Sequence, residues 1–136
     1  MTDNDPLTAD WLAQPGHHLL TRDDPRYPPL LLDTPNAPQQ LYVAGAPEVL
    51  SLPQLAIVGS RNATGSGLEA ARQFAAHLAR CGLTVTSGLA LGVDAAAHTG
   101  ALEANGLTIG VLGHGRTRFI RNATLRWRSA SWPKAR

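Results

Sequence analysis

Ala56-Ile57-Val58-Gly59-Ser60-Arg61 and, further on, Ser87-Gly88-Leu89-Ala90-Leu91-Gly92-Val93-Asp94 decide how this chain folds. Each stretch breaks a strand-like apolar segment at a glycine and opens into a helical pattern. Leu55 to Val58 reads as a buried strand. From Ser66 to Arg80, Leu68, Ala71, Phe74, Ala75, Leu78 and Ala79 recur at helical spacing, while Glu69, Arg72, Gln73 and Arg80 fall on the other face. Ser66 suits the N-cap, and Gly82 suits the left-handed residue past the helix end. Leu83 to Thr86 is the second strand. Val93 to Ala104 is the second helix, closed by Asn105-Gly106. Leu107 to Leu112 is the third strand and runs into Gly113-His114-Gly115. The order βαβαβ implies right-handed crossovers and a parallel sheet, which is the α/β class. Parallel strands share a direction, so the ends at Gly59, Ser87 and Gly113 must line one edge. Open α/β sheets bind their ligands outside that edge.

With 136 residues, 43% of them hydrophobic, the chain can bury a core and is expected to be one domain at most. No apolar run is long enough for a transmembrane helix, and Met1 to Asp10 lacks the basic and apolar regions of a signal peptide. Cys81 is a single cysteine, which excludes an internal disulfide and a cysteine metal cluster. It is expected to be buried at the helix end. A cytoplasmic location without membrane contact is the expectation.

The net charge of +2 conceals a split. Residues 1–115 hold five arginines against all ten carboxylates, a balance of −5, whereas residues 116–136 hold seven basic residues and no acid, +7. Three segments follow from this and from the pattern above. Residues 1–54 are a Pro-rich extension in which Trp11 and Leu12 sit on a short helix stopped by Pro15-Gly16. There Leu30-Leu31-Leu32 and Leu41-Tyr42-Val43 are apolar pieces that pack on the following domain, and His17-His18 lies at the surface. Residues 55–115 carry the parallel core, and residues 116–136 form a basic, irregular tail.

The chemistry concentrates at the two turns. Gly59 lets the backbone approach a ligand, Ser60 offers a hydroxyl, and Arg61 offers a planar fork suited to phosphate oxygens. Ser87-Gly88-Leu89-Ala90 is a second turn at a helix start, again suited to an anion. Gly65-Ser66-Gly67-Leu68-Glu69-Ala70 matches G-x-G-x-x-A, but it lies well past its strand. No acid ends the next strand, so dinucleotide binding is not expected. No Walker-type P-loop is present, and no cofactor is expected. Asp94 and His98, four apart on one helix, read either as an acid–base pair or as a dipole-favoured carboxylate and a locally bonded imidazole. No nucleophile accompanies them, and the second reading is preferred.

These residues resemble the DNA-processing protein A family of bacteria (DprA, also called Smf). The resemblance is carried by Asp24-Pro25-Arg26-Tyr27-Pro28-Pro29-Leu30, Leu41-Tyr42-Val43-Ala44-Gly45, Ile57-Val58-Gly59-Ser60-Arg61, and the segment from Ser87 to His98. Gly100-Ala101-Leu102 and Thr108 to Gly115 continue it. It implies a Rossmann-like domain, incomplete here. It also implies a non-enzymatic recombination mediator that binds single-stranded DNA during natural transformation and loads the RecA recombinase onto it, with a homodimer as the family assembly. Under this resemblance Gly59, Ser60, Arg61, Ser87, Gly88, Leu89, Gly113 and Gly115 are the expected DNA or phosphate contacts.

After Gly115 the likeness breaks. The family continues with an acidic residue and a Tyr-Pro pair, whereas Arg116-Thr117-Arg118-Phe119-Ile120 follows here. Arg121 to Leu125 looks family-like again. The ending from Arg126 to Arg136 has no helical or strand period and reads as an out-of-frame translation. The chain is therefore expected to be a truncated member, short of the surfaces that the family uses for RecA and for self-association. A three-stranded parallel sheet would leave one edge bare. Two other readings are a nucleotide-acting enzyme using Asp94 and His98, and an inactive remnant.

Overall fold

A computed structural model describes residues 6–113 and the strand Asn122–Thr124. In chain order these form α1 (Pro6–Leu12), β1 (His17–Thr21), α2 (Pro29–Leu32), β2 (Gln40–Gly45), a 3₁₀ turn (Pro47–Ser51) and β3 (Gln54–Ala56). Then follow α3 (Gly65–Arg80), β4 (Thr84–Ser87), α4 (Val93–Glu103), β5 (Thr108–Gly110) and β6 (Asn122–Thr124). Among the described residues the strands make one sheet, in the order β1-β2-β6-β5-β4-β3. β3, β4 and β5 are parallel neighbours, with Leu55 opposite Val85 and Thr86 opposite Ile109. This is the α/β core that the two glycine-broken repeats predict.

The helix ends obey local chemistry. Gly82 takes φ +85°, Leu83 donates its N–H to the Leu78 carbonyl, and Gly82 donates to Ala79. These crossed bonds satisfy the last carbonyls of α3. Asn105, at φ 57°, closes α4 the same way, with Gly106 donating to Ala101. At the start of α3 the cap is Thr64 rather than Ser66: its Oγ1 accepts from Gly67 N at 3.1 Å, and the helix begins one residue earlier than expected.

Two cores lie along the sheet. One joins Leu20, Tyr27, Val43 and Leu50 to Ile109 of β5. The Pro-rich extension thus supplies an antiparallel pair, β1 and β2, and β2 pairs in parallel with β6. Asn122–Thr124, within the basic tail expected to be irregular, is this connecting strand and also pairs with β5. The rest of residues 114–136 lies outside the described residues. The second core is built from Ala75, Val85, Ala97 and Ala101, with Ile57, Leu78 and Ala79 against it. Alanines there let α3 and α4 approach until Gly100 meets the Arg72 backbone.

Three expectations need correcting. Leu55 to Val58 is not a buried strand: β3 spans Gln54–Ala56, all exposed, and Val58 is 74% exposed. β3 is an edge strand, so among the described residues nothing covers its outer side. Phe74 is 58% exposed, although its spacing puts it near the inward face of α3. Cys81 is exposed, with Sγ 3.7 Å from His77 Nε2, because the α3 terminus projects beyond the core.

The extension is pinned by a clasp. Asp24 accepts from Arg26 at N (2.8 Å), Nε (3.0 Å) and Nη2 (2.8 Å). This turn presents Tyr27, whose hydroxyl donates to the Pro38 carbonyl at 2.8 Å. The Arg26 side chain and then its N–H hold the Asp24 carboxyl down at about 2. A carboxyl lowered on folding adds stability above its ordinary range, and that gain is lost as pH falls through about 2. We expect a carboxyl titration followed by NMR to place Asp24 there, and Arg26→Ala to return it to the usual carboxylate range. An unchanged midpoint in Arg26→Ala would refute the clasp.

Candidate functional site

The carboxyl ends of β3, β4 and β5 lead into three adjacent turns. The first is held in register when Ile57 N donates to Thr86 O at 2.9 Å. Beyond it Ser60 makes a tight turn, its Oγ accepting from Asn62 N at 3.0 Å. The second turn docks onto the first. Val93 N, at the start of α4, donates to Ser60 O at 3.1 Å. Gly92 sits at φ +82°, where a Cβ would lie 2.3 Å from Ser60 O. Only glycine fits both that conformation and that approach. The third turn is tied on when Val111 N donates to Ser87 O at 2.8 Å. Three loops distant in sequence thus become one surface.

The predicted residues have distinct places on it. Gly59 packs its α-carbon against the Val93 side chain. Arg61 is exposed and makes no hydrogen bond or ion pair with a described residue. That distinguishes it from Arg22, bonded to the carbonyls of Ala37 and Pro38, from Arg26 on Asp24, and from Arg72 between Glu69 and Glu103. Those carboxylates raise the Arg72 guanidinium further, through hydrogen bonds to Glu69 and then Glu103. Arg80 also lacks such a partner, but α3 runs back across the sheet and carries it to the opposite edge.

Ser87 is 3% exposed and its hydroxyl donates to the Ile57 carbonyl at 2.5 Å, so it ties β4 to β3. Leu89 lays its side chain over Gly110. Gly88 faces the Asp94 carboxylate, and a Cβ there would come within 2.6 Å of Asp94 Oδ2. Among the described residues nothing comes within 4 Å of a Cβ placed on Gly113, and Gly115 lies outside the described residues.

Asp94 and His98 share one side of α4 beneath the second turn. Asp94 is 8% exposed in the first helical turn, where the dipole favours a carboxylate. His98 is engaged at both nitrogens, Nε2 with Gly88 O at 2.6 Å and Nδ1 with Thr108 Oγ1 at 2.6 Å. The pair therefore holds the turn in place, the local-bonding alternative of the two that the spacing allows. Thr108 is the residue that sequence reasoning missed. Its side chain reads as an ordinary strand position, and its partner is on a helix ten residues away. Among the described residues no group of His, Cys, Asp and Glu could hold a metal ion, and no helix is long and apolar enough to cross a membrane.

Residues 18–130 match the family model described as DNA recombination-mediator protein A. The chain is 49% identical to Protein Smf of Escherichia coli K12 over 105 residues, covering 77% of this chain and 28% of that protein. It is 34% identical to DNA processing protein DprA of Streptococcus pneumoniae R6 over 124 residues, 91% of this chain and 43% of that one. A crystal structure of DNA processing protein A from Streptococcus pneumoniae superposes with a TM-score of 0.66 at 30% identity, covering 77% of this chain and 36% of that structure. The chain thus spans less than half the length of these relatives. The strand-edge turns and the Asp-Pro-Arg-Tyr clasp lie within the matched region, and the chain belongs to the DNA recombination-mediator protein A (DprA/Smf) family.

Proposed function

We propose that the shared edge of β3, β4 and β5 holds single-stranded DNA through its phosphates, as the DNA-contacting part of a cytoplasmic recombination mediator in natural transformation. The mediator would pass the strand to RecA and assemble as a dimer through surfaces beyond this portion of the domain. The observation that carries the reading is Arg61, an exposed guanidinium without a protein partner among the described residues, standing at the mouth of the fused turns. A planar fork free of carboxylates is suited to bridging phosphate oxygens. The Asp94 carboxylate under Gly88 repels an anion placed directly over α4, so the strand would track along Ser60 and Arg61. The backbones of Gly88 and Leu89 would flank it, with Gly113 at the far end. Among the described residues of this edge no aromatic side chain offers a base a stacking face, which favours binding through the backbone rather than recognition of sequence.

The test is fluorescence anisotropy of a labelled single-stranded oligonucleotide with the whole chain, competed by unlabelled oligonucleotide and by mononucleotide. Strand binding engages several phosphates, so affinity should fall steeply with salt, and oligonucleotide should compete far better than mononucleotide. Equal or better competition by mononucleotide would favour the nucleotide-acting enzyme instead. A folded chain that binds neither would be the inactive remnant.

A further inference from the structure

Asp94 is a carboxylate that the fold itself does not use. It is 8% exposed, yet it makes no hydrogen bond or ion pair with a described residue. Burying a charge without a partner is costly. Asp94 does not cap α4, which starts after Gly92 with no side-chain cap. It does not pair with Arg61 either, although Gly92, two residues before it, packs against the Arg61 backbone. It faces the second turn instead. A Cβ on Gly88 would lie 2.6 Å from Asp94 Oδ2, so at this position no side chain screens the carboxylate from the turn.

The same end of α4 has the groups that ordinarily attract a phosphate. Val93 N is spent on Ser60 O, and Ala96 N makes the first helical bond, to Gly92 O. Between them, the N–H groups of Asp94 and Ala95 have no backbone acceptor among the described residues. Unspent N–H groups at the positive end of a helix dipole attract anions. Here the chain supplies the anion itself. The Asp94 carboxylate takes up that attraction and repels a second negative charge brought to the same place. The repulsion grows with the charge that arrives. A terminal phosphate carries close to two negative charges at neutral pH, and a phosphodiester inside a strand carries one.

We propose that Asp94 is a specificity-determining residue: it closes the N-terminus of α4 to terminal phosphates, so that the edge rejects free nucleotides and accepts the phosphodiesters of a strand. The strand half of this inference rests on the function proposed above. The exclusion of terminal phosphate rests only on the place of the carboxylate. A mononucleotide has a single phosphate and finds all its attraction at one point. With α4 closed, that point is Arg61 alone. A strand spreads single charges along the edge, and the phosphate at Arg61 is joined by others that pass Asp94 at a distance. A carboxylate present only to suit the helix dipole would not distinguish one phosphate charge from two.

The experiment titrates the whole chain with a deoxynucleoside monophosphate and, separately, with its phosphate methyl ester, a phosphodiester of one charge. NMR follows the amides of Asp94 and Ala95. In the parent both amides should stay unmoved by the monophosphate. Parent amides that shift saturably with it overturn the proposal, and this arm needs no variant to fold. Asp94→Asn keeps the shape and removes the charge, and Asp94→Ser is the second variant, each checked by thermal melting. In them the two amides should respond, with affinity for the monophosphate raised roughly tenfold and for the methyl ester roughly threefold, as repulsion in proportion to charge requires. Equal gains for the two ligands, or no gain in a folded variant, overturn the proposal. Anisotropy of a labelled single-stranded oligonucleotide at fixed salt gives the strand half: the preference for oligonucleotide over monophosphate should shrink in Asp94→Asn. Unequal gains together with a parent that binds no oligonucleotide support the exclusion and overturn the DNA reading.

Discussion

Gly100→Ala is expected to lower the melting temperature of this chain by about 8 °C or more. Gly100 lies in α4 where that helix crosses α3, and a Cβ added there would sit 2.0 Å from the Arg72 carbonyl oxygen and 2.8 Å from its carbon. Those are backbone atoms, so no side-chain rotation relieves the overlap, and the helices must separate. Overpacking of this kind costs about 3 kcal/mol. Alanine in place of a helical glycine returns about 1 kcal/mol. The remainder is large for a domain whose second core is made mainly of alanines, because small side chains have little surface with which to follow a displaced helix. Separating α3 from α4 uncovers Ala75, Ala97 and Ala101 together. Gly65→Ala is the control: it lies at the first position of α3 with nothing near its α-carbon, and it should be neutral or slightly stabilising. A Gly100→Ala protein that melts with the parent would show that the helices do not meet at this point.

What the sequence carries about this fold is the part written in local chemistry. The strand–turn–helix repeats, the left-handed stops at Gly82 and Asn105 and the sharing of one edge by Gly59, Ser87 and Gly113 all follow from residue type and spacing. The features it does not carry depend on which segments become neighbours. Leu55 and Val58 have the composition of a buried strand and are exposed because β3 falls at the sheet edge. Leu41 to Val43 looks like an apolar patch on an extension. It becomes a sheet strand because His17–Thr21 pairs with it and Asn122–Thr124 lies on its other side. At the candidate site the cation and the glycines are legible, because a cation after a strand-ending glycine has few structural uses. The duties of Ser87 and Thr108 are not, since a hydroxyl that crosses to a neighbouring strand has the same sequence signature as one that faces a ligand.

Arg61→Ala is expected to weaken single-stranded DNA binding about tenfold or more, the scale of a lost charge-assisted hydrogen bond. The folded state should be untouched. The side chain is exposed and bonds to no described residue, so stability should change by no more than about 0.5 kcal/mol. Because the contact is to phosphate, the loss has a second signature. Removing one neutralised phosphate should make the dependence of log affinity on log salt shallower by about 0.7 for a single strand. Arg61→Lys separates charge from shape: an ammonium keeps the attraction and loses the bidentate fork, so the salt slope should persist while affinity drops partway. Arg80→Ala supplies the comparison, since it removes the same charge from the far edge of the sheet and should leave binding unchanged. If Arg80→Ala weakens binding as much as Arg61→Ala, the attraction belongs to the net charge of the chain and not to the strand edge. If Arg61→Ala binds with parental affinity and slope, the fused turns do not hold the phosphates, and the DNA reading of this edge fails with them.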